Sequence, residues 1–172
     1  VDTANTSGTV NGPTVVGGVA GNNSGLLEMV QSSGTVTGVD LHTGGIVGYN
    51  EAGALVRKGG SSGNVSGGSS VGGVAGQNDG DLEQSTATGT VTGTGEVIGG
   101  LSGWNQGNVI GGSFTGASVS GGNGIGGAVG VNFGVIDDIT VSTAVSGVVD
   151  VGGLVGFSGG PEVKNSTISG TV

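Results

Sequence analysis

Apolar residues recur along this chain at short, even intervals, and the intervals themselves repeat. Gly-Gly pairs at Gly17-Gly18, Gly44-Gly45, Gly72-Gly73, Gly99-Gly100, Gly126-Gly127 and Gly152-Gly153 are spaced by 27, 28, 27, 27 and 26 residues. Each pair is followed by an apolar residue: Val19, Ile46, Val74, Leu101, Ala128 and Leu154. A second apolar column comprises Leu27, Leu55, Leu82, Val109, Ile136 and Val163. A third comprises Val10, Val36, Val65, Val91, Val119, Val145 and Val172, each between polar neighbours. Period-two alternation and β-branched residues predict strands, and the Gly, Asn, Asp and Ser between them predict turns. No apolar spacing of helical period survives the glycines.

A fixed period of this size signals stacked structural repeats. Three short strands per repeat predict an all-β fold: a parallel β-helix, or β-solenoid, of about six triangular coils of 26–28 residues. The general crossover preference makes it right-handed. The whole chain reads as one domain: a partial coil over 1–14, then coils over about 15–41, 42–70, 71–96, 97–124, 125–150 and 151–172.

One polar column is as regular as the apolar ones. Asn23, Asn50, Asn78, Asn105 and Asn132 occupy matched turn positions, with Ser158 sixth. Stacked in register, their amides are expected to form a hydrogen-bonded ladder along the rod. The preceding column holds Asn22, Tyr49, Gln77, Trp104, Val131 and Phe157. Such mixed chemistry predicts an outward face, and Tyr49, Trp104 and Phe157 are candidates for contact with a sugar or a partner surface.

Composition narrows the function classes. The 172 residues include 45 Gly and no Cys, and the formal net charge is -9. Only 3 Lys and Arg oppose 12 Asp and Glu, so nucleic acid and anionic membranes are not expected partners. No apolar run approaches a membrane span. The missing start methionine reads as a mature fragment or excised region.

No catalytic, cofactor or metal site is expected. His42, the single histidine, reads as a solvated turn residue without converging ligands. Asn78-Asp79-Gly80-Asp81 fits an Asx turn better than a calcium loop. Asp137 and Asp138 should point to opposite faces of a strand. The third strand carries outward hydroxyls, notably Thr35, Thr37, Thr90 and Thr92. Parallel Thr-x-Thr ranks of this kind resemble the surface of ice-binding β-solenoids.

The stretches Gly17-Gly18-Val19-Ala20-Gly21-Asn22-Asn23, Gly44-Gly45-Ile46-Val47-Gly48-Tyr49-Asn50, Gly99-Gly100-Leu101-Ser102-Gly103-Trp104-Asn105 and Gly152-Gly153-Leu154-Val155-Gly156-Phe157 resemble the GLUG motif. The likeness continues through Gly80-Asp81-Leu82, Ser85 and Gly89-Thr90-Val91, with Ala128 and Ser158 as departures. GLUG repeats occur in large bacterial surface proteins, including filamentous-haemagglutinin-like adhesins, and beside IgA-specific metallopeptidases. The resemblance implies a non-enzymatic structural or adhesive repeat region, secreted or at the cell surface. It implies contact with flanking repeats or with copies end to end, and with a host or cell-surface glycan or protein. Alternatives are a subunit of an extracellular filament, an ice-binding protein and, less favoured, a polysaccharide-active enzyme.

Overall fold

The computed structural model describes residues 4–172, and every regular element in them is a β-strand in parallel pairing. The first complete coil runs through Val16–Gly17, Ala20–Asn23, Leu26–Glu28, Val30–Ser32 and Val36–Gly38. Each later coil repeats these strands in register, so the chain is a β-solenoid of about six turns. At the parallel-sheet spacing the stack is about 30 Å long.

Five strands make a coil, not the three expected. The Gly-Gly bend lies between two strands, Val16–Gly17 and Ala20–Asn23, where the sequence suggests one. The expected third strand is also two, Val30–Ser32 and Val36–Gly38. They fuse in the fifth coil, as Thr140–Ser146, where no glycine interrupts the alternation, and in the last, as Thr167–Thr171.

The strands form four sheets. Sheet I stacks Val16–Gly17 and its equivalents, sheet II Ala20–Asn23, and sheet III Leu26–Glu28, each six-stranded. Sheet IV is broad: its 12 strands include both the Val30–Ser32 and the Val36–Gly38 columns. The partial coil Ala4–Thr6 and Val10–Gly12 joins sheet IV above the first full coil.

Glycine decides how sheets I and II meet. The chain runs out along sheet I, turns at the Gly-Gly pair and returns along sheet II. A Cβ at Gly99 would overlap the Ser102 carbonyl, and it would sit 2.7 Å from Gly130 N in the next coil. A Cβ at Gly103 would lie 2.6 Å from Val71 N. The two sheets therefore touch backbone to backbone, an approach only glycine allows. The second glycine of each pair has another task. A Cβ at Gly100 would overlap the Phe114 ring, and one at Gly73 would lie 2.7 Å from Ala87 Cβ. These glycines leave room for the inward side chains of sheet IV, Ser32, Ser61, Ala87, Phe114 and Val141.

The core is a set of columns. Ile46, Val74, Leu101 and Ala128 are buried, as are Val36, Val65, Val91 and Val119. One column needs correction. Val56, not Leu55, stacks between Leu27 and Leu82. The turn after Asn50 is longer: Leu26 follows Asn23 by three positions, but Leu55 follows Asn50 by five. Gly53, at φ 80°, absorbs the extra residues.

Each coil also bends at two left-handed residues. One column is Val15, His42, Ser70, Val97, Gly124 and Asp150; the other is Met29, Lys58, Gln84, Gly111, Asp138 and Asn165. Only Gly124 and Gly111 in these columns are glycine. Sheet pairing on both sides holds the rest in a conformation costing roughly 1–2 kcal/mol each.

Candidate functional site

The asparagine column forms the expected ladder. Asn23 Nδ2 donates to Asn50 Oδ1 at 2.8 Å, Asn50 to Asn78 at 2.8 Å, Asn78 to Asn105 at 2.7 Å and Asn105 to Asn132 at 2.7 Å. The last amide points at Ser158 Oγ, 3.5 Å away. Each amide also closes its own turn: Asn78 Nδ2 donates to Gly80 O at 2.9 Å, and Asn132 Nδ2 to Gly134 O at 2.9 Å. All five are buried, so the ladder belongs to the interior and offers no ligand surface.

The column beside the ladder is only partly outward. Asn22 and Phe157 are exposed, Tyr49, Gln77 and Trp104 are half-buried, and Val131 is buried. These side chains return along sheet II toward the left-handed corner. Position 49 thereby meets position 42: the His42 and Tyr49 rings lie 6.1 Å apart. His42 is therefore not the solvated turn residue its sequence context suggests. It is half-buried, its Nδ1 is buried without a partner among the described residues, and desolvation lowers its pKa against the raising effect of Asp79.

The turn positions after the ladder complete a second rank that sequence reasoning missed. Asn22 Nδ2 donates to Glu51 Oε1 at 2.6 Å, and Tyr49 donates to Asp79 Oδ2 at 2.7 Å. Gln77 Nε2 donates to Asp79 Oδ1 at 2.8 Å. The hydrogen bond to Asp79 raises the Tyr49 pKa, with burial adding to it. In the later coils the same diagonal contact becomes aromatic. Trp104 lies 5.4 Å from Phe133, and Phe133 lies 6.0 Å from Phe157. Phe133 escaped notice because it sits in the turn, one position after the ladder residue.

The hydroxyl residues lie on the opposite side, on sheet IV. Thr37 pairs in register with Ser66 and Asn11, and Ser66 with Thr92. Thr37 Oγ1 lies 3.3 Å from Ser66 Oγ. Thr35 and Thr92 are exposed, and Thr90 is half-buried with its N–H donating to Asn64 Oδ1 at 3.0 Å. The outward ranks number four rather than two. Thr140, Ser142, Ala144 and Ser146 mark them in the unbroken fifth-coil strand, where they alternate with buried Val141, Thr143 and Val145. No strand of this sheet carries Asp, Glu, Lys or Arg.

A third feature is a groove of about 540 Å³ along the corner after sheet III, lined by Glu28, Arg57, Lys58, Glu83, Ile110 and Asp138 among others. Its charges are mixed, and Arg57 pairs with Glu28 at 2.9 Å. At the last rung Lys164 bonds Glu162 at 2.8 Å, which raises its pKa. Among the described residues no three His, Cys, Asp or Glu side chains converge as a metal site would need. Nor is any helix there long and apolar enough to cross a membrane.

Stacked coils, glycine-spaced arches and an internal amide ladder define a structural repeat domain of the β-solenoid class. Within it, residues 67–92 and 147–172 each match the GLUG motif, so the chain carries GLUG repeats. Both matches start at one structural column, Gly67 and Gly147, against which Val71 and Val151 pack. No curated protein and no solved structure matched the chain.

Proposed function

We propose that this repeat domain is a non-catalytic, adhesive rod of a secreted or cell-surface protein. The observation that carries the reading is the cluster of half-buried Trp104 with exposed Phe133 and Phe157, on a stack whose equivalent side chains in earlier coils, Asn22, Tyr49 and Gln77, are hydrogen-bonded to Glu51 and Asp79. The stack supplies a rigid support, and the cluster supplies a contact surface of the kind that adhesive proteins use. The GLUG repeats support the setting. Leu26 at one edge and Val163 and Ile168 at the other are exposed, and further coils, from flanking repeats or a second copy, would cover them. Beads coated with the domain should be retained on cell or matrix surfaces above beads coated with albumin. Equal retention would overturn the adhesive reading.

A second reading rests on sheet IV. An uncharged face with hydroxyl ranks supports binding to ordered water at an ice surface, through residues such as Thr35, Thr37, Thr90 and Thr92. Thermal hysteresis and faceted ice crystals are the expected result. Freezing behaviour equal to that of albumin would end this reading.

A further inference from the structure

We propose that the Trp104–Phe133–Phe157 cluster is the binding site for a neutral glycan lying along the rod; this rests on the adhesive reading and gives it a ligand. Phe133 and Phe157 are 44% and 45% exposed, although both are large apolar rings on a chain of net charge -9. The three rings come from three successive coils, lie 5.4 and 6.0 Å apart and are tilted by 40° and 57°, so they form one contiguous, stepped platform rather than scattered contacts. Trp104 Nε1 is buried at the edge of this platform and has no acceptor among the described residues.

The platform has a polar continuation. Along the same two ranks, the earlier coils present Gln77, Asp79, Tyr49 and Glu51. A partner following the rod therefore needs apolar faces at one end and hydroxyl donors along the rest. A pyranose chain offers both on each ring, since its axial C–H face stacks on aromatics while its equatorial hydroxyls donate to carboxylates and amides. The charge pattern selects the class of glycan. Glu51 and Asp79 lie in these ranks, and all three basic residues, Arg57, Lys58 and Lys164, lie on the sheet III side. An acidic polysaccharide would meet only repulsion here, so the glycan is uncharged.

Trp104 is the only tryptophan in the chain, so its emission reports on this site alone. Cellohexaose, N-acetylchitohexaose and maltohexaose are titrated into the intact protein while that emission is followed. At least one should shift it saturably. Phe133→Ala and the bulk-preserving Phe133→Leu should each weaken that response about tenfold, the loss of roughly one aromatic stack. Gln31→Ala, on sheet IV, should leave it unchanged. Unaltered emission with all three sugars at millimolar concentration overturns the site, as does a response as strong as that of the wild type from both Phe133 variants. If beads carrying Phe133→Ala adhere as well as wild type, the glycan site fails while the adhesive reading stands. If no beads adhere yet Trp104 responds to a sugar, the reverse holds.

Discussion

At the scale of single residues, stability rests on a few side chains whose neighbours cannot move. Asn105 is fully buried and bonded to both adjacent rungs. Asn105→Leu removes the ladder bonds to Asn78 and Asn132 and the turn bond to Gly107 O, at about 1 kcal/mol each. Denaturant titration should show a loss of about 3 kcal/mol. Asn23→Leu, with a ladder partner on one side only, should lose about half as much. An unchanged midpoint for the first variant would count against the ladder. The glycines divide just as sharply. Gly99→Ala forces a methyl into backbone on three sides and should cost more than about 4 kcal/mol. Gly25→Ala meets nothing within 4 Å and should gain about 0.5 kcal/mol through the unfolded chain. Circular dichroism melts of the pair distinguish a packing role for glycine from a merely flexible one.

His42 gives the fold a residue-level pH response. Burial lowers its pKa below the ordinary 6.5, so the folded state favours the neutral ring. As pH falls through 6.5 the unfolded chain takes up the proton first. The stability present above that value is then lost as pH continues down through the folded pKa. The melting temperature should fall between pH 7.5 and 5.5. His42→Asn, whose short amide tolerates φ 57°, should flatten the slope in that window. A slope unchanged by the substitution would assign the response to other groups.

At the scale of elements, the coil is governed by its corners as much as by its strands. Val97 occupies a left-handed corner at φ 66°, an unfavourable conformation for a β-branched residue. Its N–H still donates to Asn123 O at 2.8 Å, which keeps it in sheet pairing. Val97→Asn should raise stability by up to about 1 kcal/mol by relieving that strain. These corners were not legible in the sequence, because their residues, among them Val15, Met29, His42, Lys58 and Asp138, follow no common type. Backbone geometry imposed by stacking, not side-chain preference, puts them there. The split of two expected strands into four has a similar cause. Glycines such as Gly34, Gly63 and Gly89 bend sheet IV between its columns, and alternation alone reads across such bends. Phe133 was missed for the complementary reason: a lone aromatic in a turn carries no periodicity until stacking sets it beside Trp104 and Phe157.

At the scale of the molecule, the stack has no single core and is held by neighbour contacts, so its stability should vary along its length. The last coil has no buried residue and is exposed over most of 157–172, whereas the strands Ala75–Asn78, Ser102–Asn105 and Val129–Asn132 are largely buried. Hydrogen exchange should be slowest in those three strands and fastest in 151–172. Uniform protection would indicate all-or-none unfolding of the described coils.

By itself the sequence determined the repeat, the parallel stacking, the asparagine ladder and most apolar columns, because each is a pattern at fixed spacing and stacking copies spacing directly into contact. The tertiary structure decided what spacing does not encode. Zero-side-chain contact made an arch out of the Gly-Gly stretch, and a longer turn moved Val56 into the core in place of Leu55. The return of sheet II brought Tyr49 over His42 and gathered Trp104, Phe133 and Phe157 into one platform. Those contacts join residues of different columns, and their meeting depends on the direction the chain takes after each corner.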